Sequence, residues 1–376
     1  MKTTMNRFLC TLCLALYFTA SLHAENAPKF VELKGHTDAV SYAAFSLDSK
    51  KIVTASKDKT ARIWDAESGK ELHKLEGHTD EVNSASFSPD GKKIVTASWD
   101  RTARIWDAES GEELKKFSGV DYPLSHIRRR PLPLTLAFIF GWEEPKSIRF
   151  ASFSPDGKEI VVALNITIRI WDAESGEERQ WFAGHFPNTF AKFRILSHGT
   201  DSALYSPDGE KIVTAGSLRV KVWDVKSGEK QHELYAGDRP RFASFSPDGK
   251  KIVTTARNNI YFWDADKGGD VLRNFEYSQY DKEPLNWAKG EGLSVNYSPD
   301  GKKLVVAMGS KENFAHIVDA ETGKELQKLE GHTDRVVYAA FSPDGTKIVT
   351  ASWDNTARIW DLSAMLSEPP SEDGEK

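Results

Sequence analysis

The chain has 376 residues, 39% of them hydrophobic, with a formal net charge of −5, two cysteines and four methionines. That length allows two average domains or one large repetitive one, and the apolar fraction suffices for a core. The acidic balance argues against binding to a phosphate backbone, and so few Cys and Met give no hint of a metal or redox protein.

Residues 1–24, "MKTTMNRFLCTLCLALYFTASLHA", read as a secretory signal peptide: Lys2 and Arg7 form a basic start, Phe8 to Phe18 is apolar, and Ala24 precedes the cleavage point. The apolar run is too short to cross a bilayer comfortably; an uncleaved membrane anchor is the alternative. Neither Cys10 nor Cys13 follows the small residues of a lipoprotein signal, so no lipid anchor is expected. Cleavage removes both cysteines and with them any disulfide. Losing Lys2 and Arg7 leaves 48 basic residues against 55 acidic ones, net −7. The expected localisation is secreted or periplasmic, with residues 25–29 as a short linker.

From Phe30 to Asp361 the chain repeats itself. "GHTDAVSYAAFSLDSKKIVTASKDKTARIWD" (Gly35 to Asp65) returns at Gly77 to Asp107 and at Gly331 to Asp361. Weaker copies between them are tracked by two anchors. One is a Ser-Pro-Asp-Gly-like turn starting at Ser46, Ser88, Ser154, Ser206, Ser246, Ser298 and Ser342. The other is Trp64, Trp106, Trp171, Trp223, Trp263, Val318 and Trp360. Seven paired anchors predict seven units; an eighth would need a unit hidden in the first insertion.

Within a unit, "EVNSASF", "KKIVTAS" and "TARIW" are short and rich in β-branched and aromatic residues, and turn residues separate them. "DAESG" then leads into a fourth strand, "KELHKL", whose charges suit an exposed edge. Four strands per unit at a spacing near 42 residues is the signature of a propeller blade. The last unit lacks a fourth strand, and "KFVELKGH" (Lys29 to His36) lines up with "ELHKLEGH" (Glu71 to His78), so the N-terminal segment is expected to supply it. Residues 362–376 read as a disordered acidic tail.

The Gly-His, Ser-Pro-Asp-Gly, Thr-Ala-Ser-x-Asp and Ile-Trp-Asp elements closely resemble those of the WD-repeat β-propeller family, across Phe30 to Asp361. The resemblance implies an all-β, single seven-bladed propeller whose last blade is closed by the N-terminal strand. It also implies structural tetrads of His, Thr, Asp and Trp: His36, Thr54, Asp58 and Trp64; His78, Thr96, Asp100 and Trp106; His332, Thr350, Asp354 and Trp360. These are the side chains of a hydrolase triad, but buried polar groups need partners, and three near-identical copies read as scaffolding, with no catalytic residue. The fourth unit is read as keeping Thr214 and Trp223 without the turn aspartate.

Three long connections interrupt the period, at Val120 to Ser147, His185 to Asp201 and Glu276 to Gly292. Most of their excess falls between a fourth strand and the next first strand, which puts all three on the face of the Gly-His loops. They hold aromatics and arginines, the residues that dominate binding hot spots: Arg129, Phe138, Trp142, Phe190, Arg194, Tyr280 and Trp287. Whether these bind a partner or only pack the loops stays open. The resemblance adds the residue between Ser and Asp of the second turn (Lys57, Trp99, Trp353) and positions after Gly-His (Glu81, Arg335, Tyr338). The leading expectation is a non-enzymatic, exported interaction scaffold, monomeric, binding a protein or peptide without cofactor, nucleic acid or stable membrane insertion. The alternative is an enzyme or small-ligand or carbohydrate binder at the channel mouth, using His126, Glu143, Glu144, His185, His198, Asp201, Asp281 or Glu283.

Overall fold

The computed structural model describes residues 28–118, 147–164, 167–185, 199–216, 219–236, 240–256, 259–276, 293–308 and 313–363. The leader (residues 1–24), the tail from 364 and the bulk of the three insertions lie outside the described residues. The described elements are strands, arranged as seven four-stranded antiparallel sheets. In the second blade these run, from the axis outwards, Val82–Phe87, Lys93–Ser98, Thr102–Asp107 and Glu113–Ser118. The inner strand of each blade packs beside that of the next, and the seventh beside the first. The molecule is a closed seven-bladed β-propeller.

Side-chain size explains the radial order. One inner-strand position is Ala43, Ala85, Ala151, Ala203, Ala243, Val295 and Ala339 around the ring, each at most 1% exposed. A larger residue there would hold neighbouring blades apart. Second strands such as Lys93–Ser98 are buried on both faces, whereas the outer strands alternate buried and exposed positions.

Each Ser-Pro-Asp-Gly turn is locked by its own side chains. Ser88 Oγ donates to Asp90 Oδ1 at 2.6 Å and accepts from the Lys93 N–H at 2.9 Å. The hydrogen bond from Ser88 holds the Asp90 carboxyl below the usual carboxylate range. Gly91 sits at φ 71°, and in the first blade Ser49 takes the same left-handed conformation at φ 61°.

The ring is closed by strand Phe30–Lys34, which pairs with Thr356–Asp361 in the register Phe30 to Trp360 and Leu33 to Ala357. Leu33 is fully buried. The Phe30 ring lies 4.9 Å from that of Trp360 and 4.2 Å from the Arg358 guanidinium, and the Asp361 N–H donates to the Lys29 carbonyl at 2.9 Å.

At the axis one inner-strand position reads Tyr42, Ser84, Phe150, Ser202, Phe242, Ser294 and Tyr338 around the ring, every one buried. The four aromatic rings form a closed circuit. Tyr42 and Tyr338 lie 4.0 Å apart, Tyr42 and Phe150 5.6 Å, Phe150 and Phe242 6.3 Å, and Phe242 and Tyr338 5.6 Å. The Tyr338 hydroxyl donates to that of Tyr42 at 3.0 Å. Burial pushes the Tyr338 phenol up to about 12, so both rings are neutral at physiological pH. Of the serines between them, Ser84 and Ser294 bind backbone, accepting from the N–H groups of Ala151 and Ala339 in the next blades. This plug fills the middle of the channel.

Candidate functional site

In the second blade the Trp106 indole N–H donates to Thr96 Oγ1 at 2.9 Å, Thr96 Oγ1 lies 2.7 Å from His78 Nε2, and His78 Nδ1 lies 2.8 Å from Asp100 Oδ2. The Asp100 carboxylate can only accept, so the neutral imidazole carries its proton on Nδ1, and Nε2 accepts from the Thr96 hydroxyl. Trp64, Thr54, His36 and Asp58 repeat the chain, as do Trp360, Thr350, His332 and Asp354. The Asp-His-Thr order is that of a catalytic triad, but Thr54, Thr96 and Thr350 are all 0% exposed. No substrate reaches a hydroxyl so placed.

The constellation extends beyond what the motif names. Thr102 Oγ1 donates to Asp100 Oδ1 at 2.6 Å, and Thr60 and Thr356 do the same for their aspartates. Arg104 Nη2 lies 3.6 Å from Asp100 while its Nη1 donates to Glu113 on the outer strand at 2.5 Å. Arg62 with Glu71 and Arg169 with Glu178 repeat that pair. Beside these arginines a Cβ at Gly35 would fall 2.6 Å from Arg62 Nη1, and Gly77 and Gly331 sit at φ 152° and 146°.

The fourth blade corrects the sequence reading. Gly184 and His185 are its Gly-His, so the insertion begins after His185, and Thr200 and Asp201 already belong to the inner strand Thr200–Tyr205. His185 Nε2 lies 3.0 Å from Thr214 Oγ1, which accepts from the Trp223 indole at 3.0 Å. The tripeptide Ala183-Gly184-His185 was the available signal. In the sixth blade Val306 and Val318 replace the threonine and tryptophan together, so neither position carries a polar side-chain atom to satisfy. Of the alternative channel-mouth residues, His185 is thus spent on scaffolding, and Asp201 pairs with Arg149 at 2.7 Å. His126, Glu143, Glu144, His198, Asp281 and Glu283 lie outside the described residues.

The titrations follow from this burial. Burial pushes the Asp58, Asp100 and Asp354 carboxyls up, but hydrogen bonds from the histidine, the threonine and a backbone N–H outweigh it and hold them well below the usual range. Burial, and then the Lys221 ammonium, pushes His185 down to about 3, and burial also lowers His332. Both effects have the same sign on acidification. An unfolded histidine takes up its proton near pH 6.5, before the buried one does, and an unfolded aspartate near 3.9, before the hydrogen-bonded one. Stability is therefore fully present above pH 6.5, falls below it, and falls more steeply below pH 4. Thermal melts between pH 8 and 3 check this; a midpoint flat from pH 7 to 4 would contradict the histidine part.

On the Gly-His face the turn residues form a continuous ribbon across three blades. The N–H of Trp353 donates to the Arg335 carbonyl at 3.0 Å, that of Trp99 to Glu81 at 2.9 Å, and that of Lys57 to Ala39 at 2.9 Å. The Trp353 ring is held between two cations, Arg335 at 4.4 Å and Lys57 at 4.5 Å, and Lys57 Nζ also lies 4.0 Å from Glu81 Oε2. Trp99 ends the ribbon and is 42% exposed. Tyr338 is not part of it: its ring is 6% exposed and sits in the axial plug, because side chains alternate along its strand and this one turns to the axis. Arg129, Phe138, Trp142, Phe190, Arg194, Tyr280 and Trp287 lie outside the described residues.

The family pattern described as "WD domain, G-beta repeat" matches residues 28–65, 69–107 and 323–361. Among curated proteins, the chain is similar to Periodic tryptophan protein 2 of Saccharomyces cerevisiae, 39% identical over 197 residues, which is 51% of this chain and 18% of that protein. It is similar to the guanine nucleotide-binding protein subunit beta of Schizosaccharomyces pombe, 34% identical over 89 residues, 24% of this chain and 26% of the other. WD repeat-containing protein 1 of Gallus gallus is 36% identical over 73 residues, 19% and 12%. The matches thus span about a quarter or less of these relatives' own length.

Proposed function

The chain belongs to the WD-repeat family and is a WD-repeat propeller scaffold, and from that premise we propose that it is exported and binds a protein or peptide partner on its Gly-His face, without catalysing a reaction. The observation that carries this is the ribbon of Arg335, Trp353, Lys57, Glu81 and Trp99. It combines two tryptophans and an arginine, the types richest in interface hot spots, on backbone that the tetrads hold rigid. A rigid platform loses little entropy when it binds. The strands that flank the three insertions end and begin on this same face. The basic-apolar leader supports export.

Trp99 offers the test. Its ring is half-exposed and makes no tetrad bond, so Trp99→Ala should change stability by no more than about 0.5 kcal/mol. Partner capture from an extracytoplasmic extract should fall about tenfold or more, as for a hot-spot aromatic, and fall likewise on deletion of residues 120–147. Equal capture by both variants would overturn the assignment of the face. N-terminal sequencing of the exported protein should read from Glu25; an intact Met1 would overturn cleavage.

A further inference from the structure

The fifth blade is anchored differently from the rest. Its inner strand Phe242–Phe245 and its outer strand Arg273–Glu276 have four residues each, against five or six in the other blades. Its outer strand pairs with the third strand only as far as Phe262, whereas elsewhere the ladder reaches the tryptophan position, as at Trp106 with Glu113 and Val318 with Glu325. The Trp263 indole N–H donates to Thr254 Oγ1 at 3.4 Å, against 2.9 or 3.0 Å in the first, second, fourth and seventh blades. In sequence, Asp238 stands where those blades have histidine. The sixth blade dispenses with both polar groups of this pair; the fifth keeps them without the histidine.

Four buried hydroxyls lack a hydrogen-bond partner among the described residues, and three of them lie where this blade meets its neighbours. On the fourth blade Ser202 is the equivalent of Ser84 and Ser294, which accept an N–H from the blade that follows; Ser202 is 1% exposed and its Oγ bonds to nothing. On the second strand, six blades carry Ala55, Ala97, Ala163, Ala215, Ala307 or Ala351 where the fifth carries Thr255, also buried and also unpartnered. That position faces the next blade: Ala97 shares a core cluster with Ala151, and Ala307 with Ala339. From the sixth blade, Tyr297 packs onto the cluster that holds Val253 and Phe262 of the fifth, and its hydroxyl is the third orphan; Tyr205, its equivalent, donates to Glu159 at 3.3 Å. A buried hydroxyl without a partner disfavours the closed state, because water solvates it once the blades part. Ser244 Oγ does donate to the Val295 carbonyl at 3.1 Å, and Lys211 pairs with Asp266, but that ion pair sits on the exposed rim, where it holds little.

We propose that the fifth blade is an opening built into the ring: it releases from its neighbours as a unit while the other blades stay folded. The seventh, first and second blades, side by side, hold the three complete tetrads and the closing strand, so the ribbon of Trp353, Lys57 and Trp99 survives the release. Phe242, which lies 6.3 Å from Phe150 and 5.6 Å from Tyr338 in the axial plug, leaves with the inner strand and opens the channel from that side. The inference does not depend on what the ribbon binds.

Hydrogen exchange of the full chain, read by mass spectrometry, compares three second strands: Lys251–Ala256, Lys93–Ser98 and Lys347–Ser352. All three begin Lys-Ile-Val-Thr, so their intrinsic exchange rates nearly cancel. The fifth-blade strand should exchange about a hundredfold faster than the other two, and Phe242–Phe245 should keep pace with it while Ile148–Phe153 stays protected. Thr255→Val keeps the side chain's shape and drops the hydroxyl; it should slow exchange in the fifth blade about tenfold and leave the second and seventh unchanged. Ser202→Ala should act in the same direction from the other side of the blade. Equal protection of the three second strands would overturn the proposal. Variants that leave the fifth blade's rate unchanged would also overturn it, since the orphan hydroxyls would then not be what loosens it. Slowing of all three strands alike would mean that exchange needs the whole ring to unfold, and different rates for Phe242–Phe245 and Lys251–Ala256 would mean that strands fray singly; either result overturns release as a unit.

Discussion

Replacing Trp106 by alanine is expected to lower stability by about 3–5 kcal/mol, the cost of deleting a large aromatic from a core. The indole is 2% exposed, and its N–H ends the chain that runs through Thr96 and His78 to Asp100. Truncation opens a cavity between the second and third strands of one blade and its neighbour. It also takes a donor from Thr96, which is fully buried. Trp106→Phe separates the two effects: the ring volume is largely kept and one hydrogen bond is lost, so the cost should be about 1–2 kcal/mol. Denaturant melts of the two variants check the order. Equal losses would mean that the hydrogen bond, not the packing, dominates; no loss in either would remove the tetrad as a stabilising unit. A globular domain has only about 5–15 kcal/mol in total, so the alanine variant forfeits a large share of it.

The blade count was legible in the sequence because each blade repeats two local devices, a turn locked by Ser and Asp and a tryptophan that must find a hydrogen-bond partner. Both depend on neighbours within about 20 residues. What escaped the sequence depends on the closed ring. Tyr338 follows a Gly-His by six residues and reads as a surface position, yet it meets Tyr42, 296 positions away in sequence, only because the seventh blade packs against the first. His185 was passed over for a different reason: the insertion follows it, and the fourth blade has no turn aspartate to complete the tetrad. Thr60, Thr102 and Thr356 were hidden in plain view, as ordinary β-branched residues at the start of a strand.

Removal of residues 25–34 is expected to abolish the cooperative melt altogether. The strand Phe30–Lys34 supplies the whole outer edge of the seventh blade, including every backbone partner on that side of Thr356–Asp361. Without it the Trp360 ring loses Phe30, Arg358 loses Glu32 and the Phe30 ring face, and the main-chain groups of the third strand turn to water. The seventh blade then no longer joins the chain's two ends, and the ring is held shut only by side-chain packing between the first and last inner strands. Loop closure is also lost, since the strand ties residue 30 to residue 360 across the whole chain. A point variant makes the same argument without deleting backbone. Leu33→Asp places a carboxylate where Leu33 is fully buried opposite Ala357, and should cost about 3–5 kcal/mol, as for an unpaired buried charge. Leu72→Asp, on the exposed side of the first blade's outer strand at 38% exposure, should cost no more than about 0.5 kcal/mol. Adding a synthetic peptide of residues 28–36 to the truncated chain should restore the transition in a concentration-dependent way, because a ligand that binds only the folded ring stabilises it by mass action. A truncated chain that melts as the intact one does, with or without peptide, would mean that the ring closes on packing alone and that the strand is ornament.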